Sequence, residues 1–156
     1  MAAFLTQATV WLAMLAWTIA ILGRLERWSW TAGLGFYLWH ILGAYHSHYR
    51  WSHDVAVAET ARQTGELVGW ESGIGIWINY AFAAVLAFDL LVQWTGRPRK
   101  FPRTVEALVL FMIVNGAIVF GSGPVRIFGA ALSAAIVAGW FVRARENSSG
   151  SSSLPR

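Results

Sequence analysis

Apolar residues fall into five long runs, at about 4–23, 28–47, 73–95, 104–120 and 125–142. A helix that crosses the hydrocarbon layer needs roughly 20 such residues at about 1.5 Å rise each. Each run is therefore read as a membrane-spanning helix. The first lacks a basic leader and a small-x-small cleavage site, so it reads as a span and not as a cleaved signal. The last two are short, and Gly121-Ser122-Gly123-Pro124 between them reads as a tight hairpin. The expected fold is an all-α integral membrane protein, a bundle of about five transmembrane helices in one domain over 1–146. A serine-rich tail, 147–156, is expected to be disordered.

The one long connection, Ser52 to Ser72, has its own pattern. Ser52 or Asp54 can cap a helix running to about Leu67. His53, Val57, Thr60 and Thr64 share one stripe of it, and Glu59, Arg62 and Glu66 share another at ion-pair spacing. This predicts a short amphipathic helix lying on the membrane surface between spans two and three. Gly65, Gly69, Gly73 and Gly75 are expected to loosen the chain before span three.

Charge gives the orientation. Arg24 and Arg27 follow span one, Arg97, Arg99, Lys100 and Arg103 follow span three, and Arg143 and Arg145 follow span five. The opposite side carries Arg50, Arg62 and Arg126 together with Asp54, Glu59, Glu66 and Glu71. Lysine and arginine bias sets topology, which puts the N-terminus outside, the C-terminus in the cytoplasm and the amphipathic helix on the exoplasmic side of a bacterial inner membrane or its equivalent.

Composition agrees. Hydrophobic residues are 56% of the 156 and charged residues 13%, against about 25% charged in soluble domains. The net charge of +4 lies in short clusters between apolar runs. That suits lipid headgroups and excludes a nucleic-acid face. Ten tryptophans suit two membrane–water interfaces. With no cysteine, thiolate zinc and iron–sulfur sites are excluded.

Polar residues inside spans need a partner or a task. His40, Asn79 and Asn115 fall at similar depth in spans two, three and four, and form a candidate cofactor-binding layer. Asp89, in the inner half of span three, is expected to pair with Arg24, Arg27, Arg103 or Arg143, or to accept from Trp30 or Thr31.

All four histidines lie within fourteen residues, in the run WHILGAYHSHYRWSHD. If the chain leaves the helix near His46, the His46-Ser47-His48 triplet becomes extended and both imidazoles point to one side. His53 then supplies a third nitrogen, and Glu59, Glu66 or Asp54 an oxygen. The candidate metal ligands are thus His46, His48, His53 and Glu59, for zinc, copper or iron. A haem on His40 or His46 is the other cofactor considered. Tyr45, Tyr49 and Trp51 interleave with the histidines, so the same run also reads as an interfacial belt. No nucleophile elbow, P-loop or zincin motif accompanies it, and no catalytic residue is assigned. The leading expectation is a small membrane protein with an exoplasmic transition-metal site, acting in metal binding or electron transfer as a subunit of a larger complex or with copies of itself. The alternatives are a non-catalytic structural or assembly subunit and a small transporter or channel. The last is disfavoured because no internal repeat or broken helix is visible.

Overall fold

The computed structural model describes residues 2–23 and 26–150, with side chains over 6–23 and 27–148. Arg24 lies outside the described residues. The chain is all helical, with no strand among the described residues. Helix α1 is Ala2–Ile21, α2 Glu26–Ser47, α3 His53–Val68, α4 Ile74–Trp94, α5 Pro102–Ile113 and α6 Pro124–Gly150. Three of these are long and apolar enough to cross a membrane: Ile74–Trp94, Pro102–Val119 (α5 with its continuation) and Pro124–Ser148. The described apolar part of α1, Thr6–Ile21, is shorter. Helix α2 has 22 residues but carries Arg27, Ser29, Thr31, His40 and His46.

Apart from α3, successive helices alternate in direction and produce two chemically different ends. A histidine end gathers Thr6 of α1, the end of α2, α3 and the start of α4. An arginine end gathers Ile21 of α1, the end of α4, the start of α5 and Arg143 of α6. Between them lies a core whose largest fully buried side chains are Trp17, Phe82, Ile21 and Ile113. Trp17, Tyr37 and Phe82 form an aromatic triangle, with centroids 5.2 to 5.5 Å apart.

Glycine sets how closely the helices approach. A Cβ on Gly33 would stand 2.3 Å from Trp17 Nε1, so α2 lies directly on that indole. A Cβ on Gly129 would stand 2.4 Å from that of Ala117, and one on Gly139 would stand 2.5 Å from Leu22 Cδ2. Gly129 and Gly139 of α6 are thus both used for close packing inside the chain.

Two expectations are revised. The fourth run is not a continuous α-helix. Val114–Val119 is π-helical, and the Phe120 N–H donates to the Asn115 carbonyl at 3.0 Å. Helix α6 continues to Gly150, four residues into the expected tail. The rest of that tail lies outside the described residues. The hairpin forms as read: Gly123 takes a φ of +55° and Pro124 begins α6.

Candidate functional site: the histidine end and the buried carboxylates

Helix α2 remains helical through His46 and Ser47. The Ser47 hydroxyl donates to the Gly43 carbonyl at 2.6 Å, and the His48 N–H donates to the Ala44 carbonyl at 2.8 Å. Positions i and i+2 of a helical turn do not face each other, so the extended chelating triplet does not form. The chain leaves the helix later, through two left-handed residues, Arg50 (φ 50°) and Trp51 (φ 61°). Such a corner costs roughly 1–2 kcal/mol per non-glycine residue. It turns the chain back on itself, and the Trp51 N–H reaches the Tyr45 carbonyl at 3.0 Å.

This reversal places α3 across the end of the bundle. Ser52 is its N-cap, accepting from the Val55 N–H at 3.4 Å, and Gly69 closes it with a φ of +75°. The glycines expected to loosen the next segment instead let it pack. A Cβ on Gly73 would stand 2.5 Å from Val57 Cγ1, and one on Gly75 would stand 2.9 Å from Thr60 Cγ2. The stripe predicted for His53, Val57 and Thr60 is therefore the face that α3 lays on α4.

His53 heads that stripe. Its Nδ1 lies 3.1 Å from the Tyr80 hydroxyl of α4 and 3.3 Å from the Tyr45 hydroxyl of α2. The two hydroxyls also hydrogen-bond to each other. Tyr80 stacks on the imidazole with centroids 5.8 Å apart, and Trp77 meets its edge at 5.3 Å. One imidazole thus joins three helices.

The other histidines make separate contacts. His40 Nδ1 lies 2.8 Å from the Thr6 carbonyl, joining α2 to α1. The His46 ring lies 6.1 Å from Trp51, and the His48 ring 6.5 Å from Tyr49. Glu59 is committed to Arg62, with Nη2 at 2.6 Å from Oε1 and Nε at 2.9 Å from Oε2, and Gln63 donates to it at 2.8 Å. These donors, Arg62 first, hold its carboxyl at about 2, below the usual carboxylate range. Arg62 also pairs with Glu66, as the spacing predicted. Among the described residues no group of three or more histidine, aspartate or glutamate side chains converges to hold a metal ion. His46, His48, His53 and Glu59 are not brought together into one such group.

The candidate cofactor layer also divides. Asn79 lines a core cavity of about 110 Å³ with Tyr37, Trp17, Phe82 and Gly116, and the Tyr37 hydroxyl donates to its Oδ1 at 3.3 Å. His40 and Asn115 do not line that cavity.

The arginine end holds what sequence reading missed. Asp89 is bound by Arg99, with Nε 3.0 Å from Oδ1 and Nη2 2.7 Å from Oδ2, while Gln93 donates to Oδ2 at 2.8 Å. Its expected partners were Arg24, Arg27, Arg103 or Arg143. The turn through Gly96 (φ +69°) and Pro98 instead folds Arg99 back along α4. Trp30 does not donate to Asp89; the Arg99 guanidinium lies over its ring at 5.2 Å. Thr31 accepts from the Trp94 indole at 3.1 Å.

Glu106, at the start of α5, is a second buried carboxylate. It accepts from Arg103 at 3.0 Å, from Arg143 at 3.2 Å and from the Trp140 indole. Arg143 also donates to the Ile21 carbonyl, the open C-terminus of α1. The group ties α1, α5 and α6 together. The sequence signal was available, because an acidic residue three positions into an apolar run needs a partner.

Comparison of the chain with protein-family models, with curated proteins and with solved structures finds no match.

Proposed function

We propose that the protein is a non-catalytic, five-span membrane subunit that holds a rigid amphipathic helix, α3, at the outer surface as part of a larger assembly. The observation that carries this reading is the placement of His53 Nδ1 between Tyr45 of α2 and Tyr80 of α4. In this reading the His53 imidazole fixes α3 to the bundle. Hydrogen bonds of this kind fix helix register at modest energy. The outward face of α3, with Glu59, Arg62 and Glu66 already paired, is the surface offered to another subunit or a second copy.

In this reading the arginine end faces the cytoplasm and the histidine end the exoplasm of a bacterial inner membrane or its equivalent. Basic residues cluster at the arginine end, as positive-inside orientation requires. Tryptophans mark both levels: Trp28 and Trp94 in edge contact at 5.1 Å at one, and Trp51, Trp70 and Trp77, all exposed, at the other.

Single cysteines at positions 59 and 100 of this cysteine-free chain test the orientation. An impermeant maleimide on intact cells is expected to label position 59 and spare position 100. The reverse pattern would turn the bundle over. Extraction of native membranes in a mild detergent, followed by size-exclusion chromatography, tests the assembly. The chain is expected to migrate well above its 17.3 kDa plus micelle, in fixed stoichiometry with its partner. A lone monomer in every mild detergent would contradict the subunit reading.

A further inference from the structure

At the arginine end, α4, the start of α5 and the loop that joins them line a groove of about 640 Å³. Phe88, Val92, Phe101 and Val105 form its apolar wall. Phe88 and Phe101 are 69% and 70% exposed, so this wall is open on its lateral side. Arg97 and Lys100 stand in the same lining, at the level where the helices end. Neither makes an ion pair among the described residues. Asp89 also lines the groove, but the Arg99 fork already neutralises it. The groove therefore presents an apolar trough with two uncompensated positive charges at one end.

We propose that this groove binds one anionic phospholipid, with its headgroup phosphate at Arg97 and Lys100 and an acyl chain along Phe88, Val92 and Val105. Charge complementarity selects this occupant. Basic pockets between helices at the membrane surface suit acidic headgroups, and the volume falls in the range of ordinary ligand sites, about 300–1,000 Å³. A zwitterionic lipid brings its own cation to the guanidinium and ammonium, and an anion without a tail leaves the aromatic wall bare. The proposal rests on the chain lying in a membrane. It is independent of whether the chain is a subunit of a complex, so failure of one leaves the other standing.

Native mass spectrometry of the full chain in a mild detergent tests it. Protein is titrated with phosphatidylglycerol, with phosphatidylcholine of the same acyl chains, and with inorganic phosphate. Phosphatidylglycerol is expected to bind on the order of 10-fold more tightly than phosphatidylcholine, the scale set by two basic residues at a headgroup. Inorganic phosphate is expected to leave no retained adduct. The R97Q/K100Q double variant is expected to lose the preference, and Arg126→Gln at the other end to keep it. Thr104→Trp, which fills the groove while sparing both basic residues, is expected to lose the lipid while the lipid-free protein melts as wild type does. Equal affinity for the two lipids overturns the proposal. So does an undiminished preference in the double variant, or tight retention of phosphatidylglycerol by Thr104→Trp. Retention of inorganic phosphate as strong as that of the lipid assigns the basic pair to a free anion and overturns it as well.

Discussion

Arg99→Met is expected to destabilise the protein by about 3–5 kcal/mol, the cost of leaving one member of a buried ion pair behind. The side chains of Asp89 and Arg99 are only 11% and 12% exposed, so little water reaches the carboxylate once its fork is gone. Gln93 still donates to Oδ2 and keeps the loss toward the lower end of that range. The same physics gives a second, less intuitive outcome. The Asp89→Leu/Arg99→Met double variant removes both charges and both desolvation penalties, and is expected to lie within about 2 kcal/mol of wild type. Reversible unfolding in mixed micelles with increasing SDS measures both. A loss below about 1 kcal/mol for Arg99→Met would show that water already solvates the pair.

Gly33→Val is expected to cost about 3 kcal/mol, or to prevent folding, through overpacking. Even an alanine Cβ at this position would meet Trp17 Nε1 at 2.3 Å and Cδ1 at 2.4 Å. The indole cannot step aside. It is 2% exposed and held between Tyr37 and Phe82. In the proposed five-span arrangement no hydrophobic force drives α1 onto α2, so close contact is most of what holds them. Separating the pair by the width of one side chain forfeits that contact along the whole interface. Trp17→Phe in the Gly33→Ala background is expected to restore stability. The smaller ring makes room for the methyl, and no hydrogen bond is lost, because the Trp17 N–H has no partner among the described residues. A double variant no better than Gly33→Ala alone would show that another contact sets the helix spacing.

The sequence was legible where one local rule decided the outcome. The five apolar runs coincide with α1, α2, α4, α5 with its π-helical continuation, and α6, because length and hydropathy alone delimit such helices. Ser52 capping α3 and Arg62 pairing with Glu59 and Glu66 followed from spacing on a single helix. What failed depended on contacts between elements. Arg99 reaches Asp89 only because Gly96 and Pro98 reverse the chain, and no periodicity reports where a loop side chain lands. The glycines at 73 and 75 looked like loose punctuation; opposite Val57 and Thr60 they are the reason α3 can lie flat on α4. A chelating His46-Ser47-His48 triplet requires the helix to end near His46. It ends after Ser47, with the His48 N–H still bonded to the Ala44 carbonyl, and positions i and i+2 of a helical turn do not face each other. Tyr45 and Tyr80, which claim His53, are 35 residues apart, and nothing in the sequence announces that they meet.

The central claim of the proposed reading, that His53 fixes α3 and that the histidine run holds no metal, is tested most directly by one set of variants. Wild type, His46→Ala, His48→Ala and His53→Ala, purified in a mild detergent without chelators, are compared by elemental analysis and by amide hydrogen exchange over residues 53–68. His53→Ala leaves the Tyr45 and Tyr80 hydroxyls without their shared partner. It is expected to accelerate exchange across α3 by at least about 10-fold, which corresponds to about 1.4 kcal/mol of lost local stability. His46→Ala and His48→Ala, whose rings are exposed, are expected to exchange as wild type does. None of the four is expected to carry stoichiometric metal. One bound zinc, copper or iron per chain, lost together in all three variants, would contradict the account and return these histidines to the role of ligands.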